Sequence, residues 1–243
     1  MAADRLPKEH RTVSRVMAIL EKAGEAPKGV SLADLSEALN APKSSVHGLV
    51  KGLVATGYLQ EHKGVYSLGP AVGMLPAPSG PAVLEGARRS LEEVERRCEE
   101  SVMLSTLIGE SVVYADVVES RNVIRYVAPK GVRRPLYPTS AGKCFLARFS
   151  PARRDGYLQR QGYDEKSRDA VRAELEKVLH DGFSTNHGET VPDVYAVSTP
   201  IMVGGKVVAC LSAAGPGSRF EPKMAEISRL LVAEAARLAQ SRG

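Results

Sequence analysis

The 243-residue sequence predicts an α+β protein in two parts. An amino-terminal winged helix-turn-helix is joined by a linker to a larger domain, an antiparallel sheet with helices on its faces. Three observations predict this. Two short amphipathic helices separated by a tight turn are followed at once by a basic-tipped hairpin, the pattern of a winged helix-turn-helix. A stretch rich in Pro and Gly, residues 69–81 (GPAVGMLPAPSGP), then breaks the chain. Beyond it, hairpins alternate with helical periodicity, which points to an α+β domain of about 160 residues. The boundaries read as an arm over 1–10, the winged helix-turn-helix over 11–69, a linker over 70–83 and the second domain over 84–243.

Each element follows from local chemistry. Thr12 or Ser14 opens a helix with Val13, Val16, Met17 and Leu20 on one face, ending by Gly24. Val30 and Leu32 either form a short strand or pin the next helix. Ser31-Leu32-Ala33-Asp34 fits a capping box, and the helix it opens is expected to bury Leu35, Ala38 and Leu39 before Asn40-Ala41-Pro42. In residues 41–57 (APKSSVHGLVKGLVATG), Val46, Leu49, Val50 and Leu53 fall at i, i+3, i+4 and i+7, with Pro42 in the first turn and Gly57 as the stop. The outer face carries Lys43, Ser44, Ser45, His47, Gly48, Lys51 and Gly52, and no acid lies between Asn40 and Gln60. Such a face suits the major groove of DNA. Taken alone it reads equally as a solvated surface helix; its neighbours decide. Residues 58–69 (YLQEHKGVYSLG) are the hairpin, turning at His62-Lys63-Gly64 with Lys63 at its tip.

Past the linker, Leu84, Ala87, Leu91, Val94 and Cys98 mark an amphipathic helix. Strands are expected over 101–108 and 111–118, with a third over 122–128 and a basic loop over 130–138. Helices follow over 140–149, 151–161 and 167–181. Strands over 183–189, 196–203 and 206–213 complete the sheet, the last two joined through Gly204-Gly205. Glu221-Pro222 opens a final helix, to about Gln240, with Met224, Ile227, Leu230, Leu231 and Leu238 inward.

A hydrophobic content of 43% and charge of 25% are ordinary for a soluble globular protein. The net charge of +5 permits a polyanion partner, but both halves share the excess, so any DNA footprint is a local patch. Cys98, Cys144 and Cys210 are far apart in apolar contexts, which suits buried free thiols in a cytoplasmic protein better than a disulfide framework or a zinc site. Neither a membrane-spanning run nor a signal peptide is visible, so no membrane partner is expected.

A catalytic reading finds little. HExxH, GxSxG and CxxC are absent and the five histidines are scattered. Ala141-Gly142-Lys143-Cys144 is only superficially a phosphate loop, because Tyr137 replaces the leading Gly and Cys144 the magnesium-binding hydroxyl. Cys144 has no adjacent base, and His187 reads as a surface or satisfied histidine. The expectation is a protein that is no enzyme and takes neither cofactor nor metal. A binding reading is better supported. Tyr137-Pro-Thr-Ser-Ala-Gly-Lys143 brings small residues to a helix N-terminus, where N–H groups and the dipole favour a carboxylate. An ordinary Ser-capped helix is the equal alternative. Lys130, Arg133 and Arg134 either steer anions or are solvated loop charge. Two rivals stay open: an enzyme that converts a small acid, and a ligand-independent DNA-binding protein.

Several motifs in order carry a resemblance: PKSSVHGLV, the wing ending YSLG, DVVES, RPLYPTSAGKCFLA, DGFSTNHGE and AVSTPIMVGGKVVACLSAAGP. Over nearly its whole length the chain resembles the IclR family of bacterial transcriptional regulators. That resemblance implies a GAF-like effector-binding domain, a homodimer or dimer of dimers, and near-palindromic double-stranded operator DNA. It also implies control of a catabolic or metabolic operon by a small organic acid effector. Carried over, the effector pocket is lined by Val123 and Tyr126, by Ser140 and Ala141 at the helix N-terminus, and by Glu189 or Thr190, Ser198, Pro200 and Ser212. Ala214 stands where the family often has a second hydroxyl, and Tyr126 is larger than a typical aliphatic lining; both tilt the effector away from a very small polar keto-acid and towards a less polar carboxylate, aromatic ones included. Gly48 stands where the family usually has Arg. DNA contacts are therefore expected to shift to Ser44, Ser45, His47 and Lys51, with Lys43 and Lys63 on phosphates. The expected lever between effector and DNA is residues 69–81 with the helix around 84–98.

Overall fold

The computed structural model describes residues 10–75 and 86–240, and these form two compact units. The first contains α1 (Arg11–Glu25), β1 (Val30–Ser31), α2 (Leu32–Ala38), α3 (Lys43–Ala55), β2 (Leu59–His62), β3 (Val65–Leu68) and α4 (Pro70–Gly73). Its sheet has the order β1-β3-β2, so Val30 does form a strand, opposite Tyr66. The capping box is made: Asp34 N–H donates to Ser31 Oγ at 3.2 Å and Ser31 N–H to Asp34 Oδ2 at 3.1 Å. Pro42 sits one position earlier than expected, as the N-cap of α3. The core gathers Ile19, Ala23, Leu35, Val46, Val50, Leu53, Leu59 and Tyr66. The wing turns over Lys63 and Gly64, whose φ values of 52° and 78° match the right-handed twist of the flanking strands.

Two expectations here need correction. The buried stripe of α1 runs through Ile19 and Ala23, with Val16 and Leu20 at its margin, while Val13 is 60% and Met17 48% exposed. Apolar side chains cover more of α1 than one face, and the core lies under the 19/23 side. On α2 Leu35 is buried but Ala38 is exposed.

The second unit contains α5 (Arg88–Cys98), β4 (Ser101–Ile108), β5 (Ser111–Val118), β6 (Arg133–Pro135), α6 (Ser140–Leu146), α7 (Pro151–Arg160) and α8 (Glu165–Asp181). It continues with β7 (Ser184–His187), β8 (Val194–Val203), β9 (Lys206–Pro216), the one-turn α9 (Gly217–Phe220), a 3₁₀ turn and α10 (Met224–Gln240). Six antiparallel strands form one sheet in the order β6-β5-β4-β9-β8-β7. Alternation along each strand serves two layers. Val102, Leu104, Val197, Ile201 and Leu211 pack with α5 and α10, including Ile227, Leu230, Leu231 and Leu238. Met103, Val112, Tyr114, Cys210 and Ala214 pack with α6, α7 and α8.

The strand expected over 122–128 does not form. It finds no strand to pair with: Val123 is 94% and Ile124 73% exposed, and only Tyr126 and Ala128 turn onto the core. The place beside β5 goes to β6, inside the stretch read as a basic loop, with Val112 opposite Arg134. The arm over 1–9, linker residues 76–83 and Leu84 lie outside the described residues, and the start of the expected linker is α4. Cys98, Cys144 and Cys210 are buried and unpaired.

Candidate functional site

On α3 the burial of Val46, Val50 and Leu53 turns Lys43, Ser44, Ser45, His47, Gly48, Lys51 and Gly52 outward, and all seven are exposed. Lys63 is exposed at the wing tip. A Cβ at Gly48 or Gly52 would meet open space, so nothing within the unit accounts for glycine there. The sequence reading missed Glu61, which follows directly on the acid-free stretch. From β2 its carboxylate accepts from Lys51 Nζ at 2.8 Å, holding the lysine pKa above its ordinary value. Both side chains are partly solvated, so the pair is weak and a phosphate can replace the carboxylate.

In the second unit a cleft opens beside the start of α6. Thr139, not Ser140, is the N-cap: its Oγ1 accepts from Gly142 N–H at 3.2 Å. Gly142 is required by close packing, since a Cβ there would overlap the Leu136 carbonyl. Ser140 is thereby released to bond elsewhere, and its hydroxyl lies 2.7 Å from that of Ser198, itself 2.7 Å from that of Ser212. The floor is Met103 of β4, Ala196 of β8 and Ala214 of β9. Tyr114 and Tyr126 form a wall, and Asn186, Thr190, Val191 and Val194 close the far side. The interior is narrow, about 30 Å³, room for one or two waters. Burial, with Tyr126 beside it, pushes the Tyr114 phenol well above its usual range, against the opposing pull of Arg134.

A fully buried cation stands one residue beyond Gly142 on α6. This is Lys143: its ammonium donates to Glu189 at 2.5 Å and to the Thr185 carbonyl at 3.0 Å, and is ion-paired with Glu174 at 2.6 Å. Glu174 also accepts from the Tyr137 hydroxyl at 2.9 Å. Glu189 in turn belongs to the loop after β7, where its N–H donates to Asn186 Oδ1 at 3.2 Å and Asn186 Nδ2 donates to Thr190 Oγ1 at 2.9 Å.

Of the residues expected around an effector, Tyr126, Ser140 and Thr190 line the cleft. Ala141 is buried behind it, its carbonyl accepting from the Cys210 thiol. Glu189 is committed to Lys143, and Ser198 and Ser212 lie in the buried hydroxyl chain. Pro200 is buried on β8 opposite Cys210, and Val123 points into solvent, so neither reaches the cleft. Arg134 does reach it, stacked 5.0 Å from the Tyr114 ring centroid, with Nε buried and without a hydrogen-bond partner. Period-two alternation in Arg133-Arg134 was the available signal, hidden because the stretch was read as loop.

Among the described residues, no cluster of three His, Cys, Asp or Glu could hold a metal ion. Nor is any helix there long and apolar enough to cross a membrane.

Comparison with known proteins gives two family matches: the bacterial transcriptional regulator IclR C-terminal domain over residues 79–240, and the IclR helix-turn-helix domain over residues 12–63. The HTH-type transcriptional regulator TtgV of Pseudomonas putida is 26% identical over 195 residues, 78% of this chain and 75% of its own length. A crystal structure of an IclR transcriptional regulator from Silicibacter superposes with a TM-score of 0.78 at 26% identity, covering 95% of both chains. An IclR homolog from Microbacterium hydrocarbonoxydans, complexed with 4-hydroxybenzoate, has a TM-score of 0.70 at 22% identity, covering 95% of this chain and 99% of that one.

Proposed function

The chain belongs to the IclR family of bacterial transcriptional regulators, and from that premise we propose that a small organic acid in the cleft beside α6 alters the grip of α3 on operator DNA. As a member it is a DNA-binding regulator and not an enzyme. The observation that carries the effector reading is the cleft itself, apolar on its floor and supplied with an unpaired guanidinium N–H. That the fold neighbour from Microbacterium holds 4-hydroxybenzoate supports an effector of this kind.

In this reading the protein is a cytoplasmic homodimer, or a dimer of dimers, whose α3 helices meet the half-sites of a near-palindrome in a catabolic or metabolic operon. Ser44, Ser45 and His47 read base edges while Lys43, Lys51 and Lys63 hold phosphates. The effector binds one arrangement of the protein better than another, since equal affinity would shift nothing. Residues 69–98, which join the units in sequence, carry the change. The test titrates full-length protein onto duplexes from its own genomic neighbourhood, with and without a panel of carboxylates. A specific duplex whose affinity shifts with one acid supports the proposal. DNA affinity indifferent to every acid that raises the melting temperature refutes the coupling.

A further inference from the structure

Arg133 and Arg134 are adjacent on β6 and face opposite ways. Arg133 Nη1 donates to the Ile108 carbonyl at 3.0 Å, whereas Arg134 turns into the cleft with its Nε buried and unmatched. Three other polar groups at or behind the cleft are already engaged. Ser140 bonds Ser198, Asn186 bonds Thr190, and Lys143 is saturated by two carboxylates and a carbonyl. We propose that Arg134 is the carboxylate anchor of this cleft and that the cleft selects a planar aromatic monocarboxylate. The proposal rests on reading the cleft as the effector site.

Three features converge on it. A buried guanidinium N–H without an acceptor is costly and is best matched by an anion. The planar fork takes a carboxylate through two parallel bonds, and the guanidinium carbon lies over the Tyr114 ring, 5.0 Å from its centroid. Beside the polar Ser140, Asn186 and Thr190, the remaining surface offers Met103, Ala196, Ala214 and Tyr126, apolar contacts suited to a flat ring. A small keto-acid is polar throughout and leaves these apolar faces without a partner, and Ala214 gives it no hydroxyl.

The test is calorimetric titration of the full-length protein with benzoate, with benzamide as its uncharged isostere, and with pyruvate. Wild type is expected to bind benzoate roughly 10- to 100-fold more tightly than benzamide, the range of a charge-assisted hydrogen bond. In Arg134→Gln that ratio is expected to fall to about one; Arg134→Lys, which keeps the charge without the fork, should retain part of it. Ala214→Leu, with Ala196→Val as a milder filler, should weaken benzoate and benzamide together. A benzoate-to-benzamide ratio unchanged in Arg134→Gln, with the fillers still blocking, overturns the anchor and leaves the effector cleft standing. Benzoate binding indifferent to both fillers overturns the cleft reading itself. Pyruvate bound more tightly than benzoate, or no benzoate binding, overturns the aromatic class.

Discussion

Lys143→Met is the most demanding perturbation the second unit offers. It removes the cation but keeps the volume of the stem, and so leaves Glu174, Glu189 and the Thr185 carbonyl without their donor. Breaking a buried ion pair from one side costs about 3–5 kcal/mol, because the remaining charge is uncompensated. Here the carboxylates are 33% and 37% exposed and can recover some water, which places the loss at the lower end, about 3 kcal/mol. For a unit of this size each kcal/mol shifts Tm by about 2–4 °C, so the transition should fall by about 6–12 °C. Differential scanning calorimetry at neutral pH, following the transition of the sheet unit, reads it directly. The combined variant Lys143→Met, Glu174→Gln, Glu189→Gln should recover most of the loss, since it buries no unpaired charge. A single variant within 2 °C of wild type, or a combined variant no better than the single one, would refute the reasoning.

Four other outcomes are expected. Gly142→Ala should cost about 1–3 kcal/mol or more by forcing α6 off the Leu136 backbone, seen as a lower melting temperature; an unshifted melt would show that the helix has room to move. Gly48→Ala and Gly52→Ala meet open space and should each stabilise the first unit by up to about 1 kcal/mol; if DNA affinity falls at the same time, the glycines serve close approach to the duplex. Lys51→Ala should weaken all duplexes alike and reduce the salt slope by about one, whereas Glu61→Gln should tighten binding at low salt by freeing Lys51; an effect confined to one base position contradicts a phosphate role. Burial raises the Asp116 carboxyl pKa, but Lys130, the Val117 N–H and Arg88 outweigh it and hold the group below the usual carboxylate range. A depressed folded pKa contributes stability above the unfolded pKa and loses it as pH falls through the folded one. Asp116→Asn should therefore be less stable than wild type at pH 7, with the gap closing in acid; a gap constant from pH 7 to pH 2 would exclude the linkage.

Local rules read the first unit well, because its signals are short-range. The Ser31/Asp34 box, the i, i+3, i+4, i+7 stripe on α3 and the Lys63-Gly64 turn each depend on a few neighbouring residues. α1 was harder, since choosing between Val13/Met17 and Ile19/Ala23 requires knowing which side the core takes. In the second unit the β8–β9 hairpin was legible from Gly204-Gly205, with φ values of 54° and 74°. The strand order was not, and residues 122–128 show why. β-propensity reports fitness for a pleated surface, and only tertiary pairing provides one. The cleft was legible in outline, through the small-residue start of α6, but its charged groups were assigned by family position. Glu189 went to Lys143 and Arg134 entered instead, and both outcomes depend on contacts between residues far apart in sequence.

The strand bearing Arg134 is three residues long and hangs at one margin of the sheet; the strand bearing Asn186 hangs at the other. Both edge strands reach one small space, while β4 and β9 lie at the centre of the sheet, paired on both sides. In the proposed reading, a guest lodged there ties the two edges of the sheet together. Its arrival should register first as slowed amide exchange over residues 130–136 and 184–190, with β4 and β9 already quiet and unchanged.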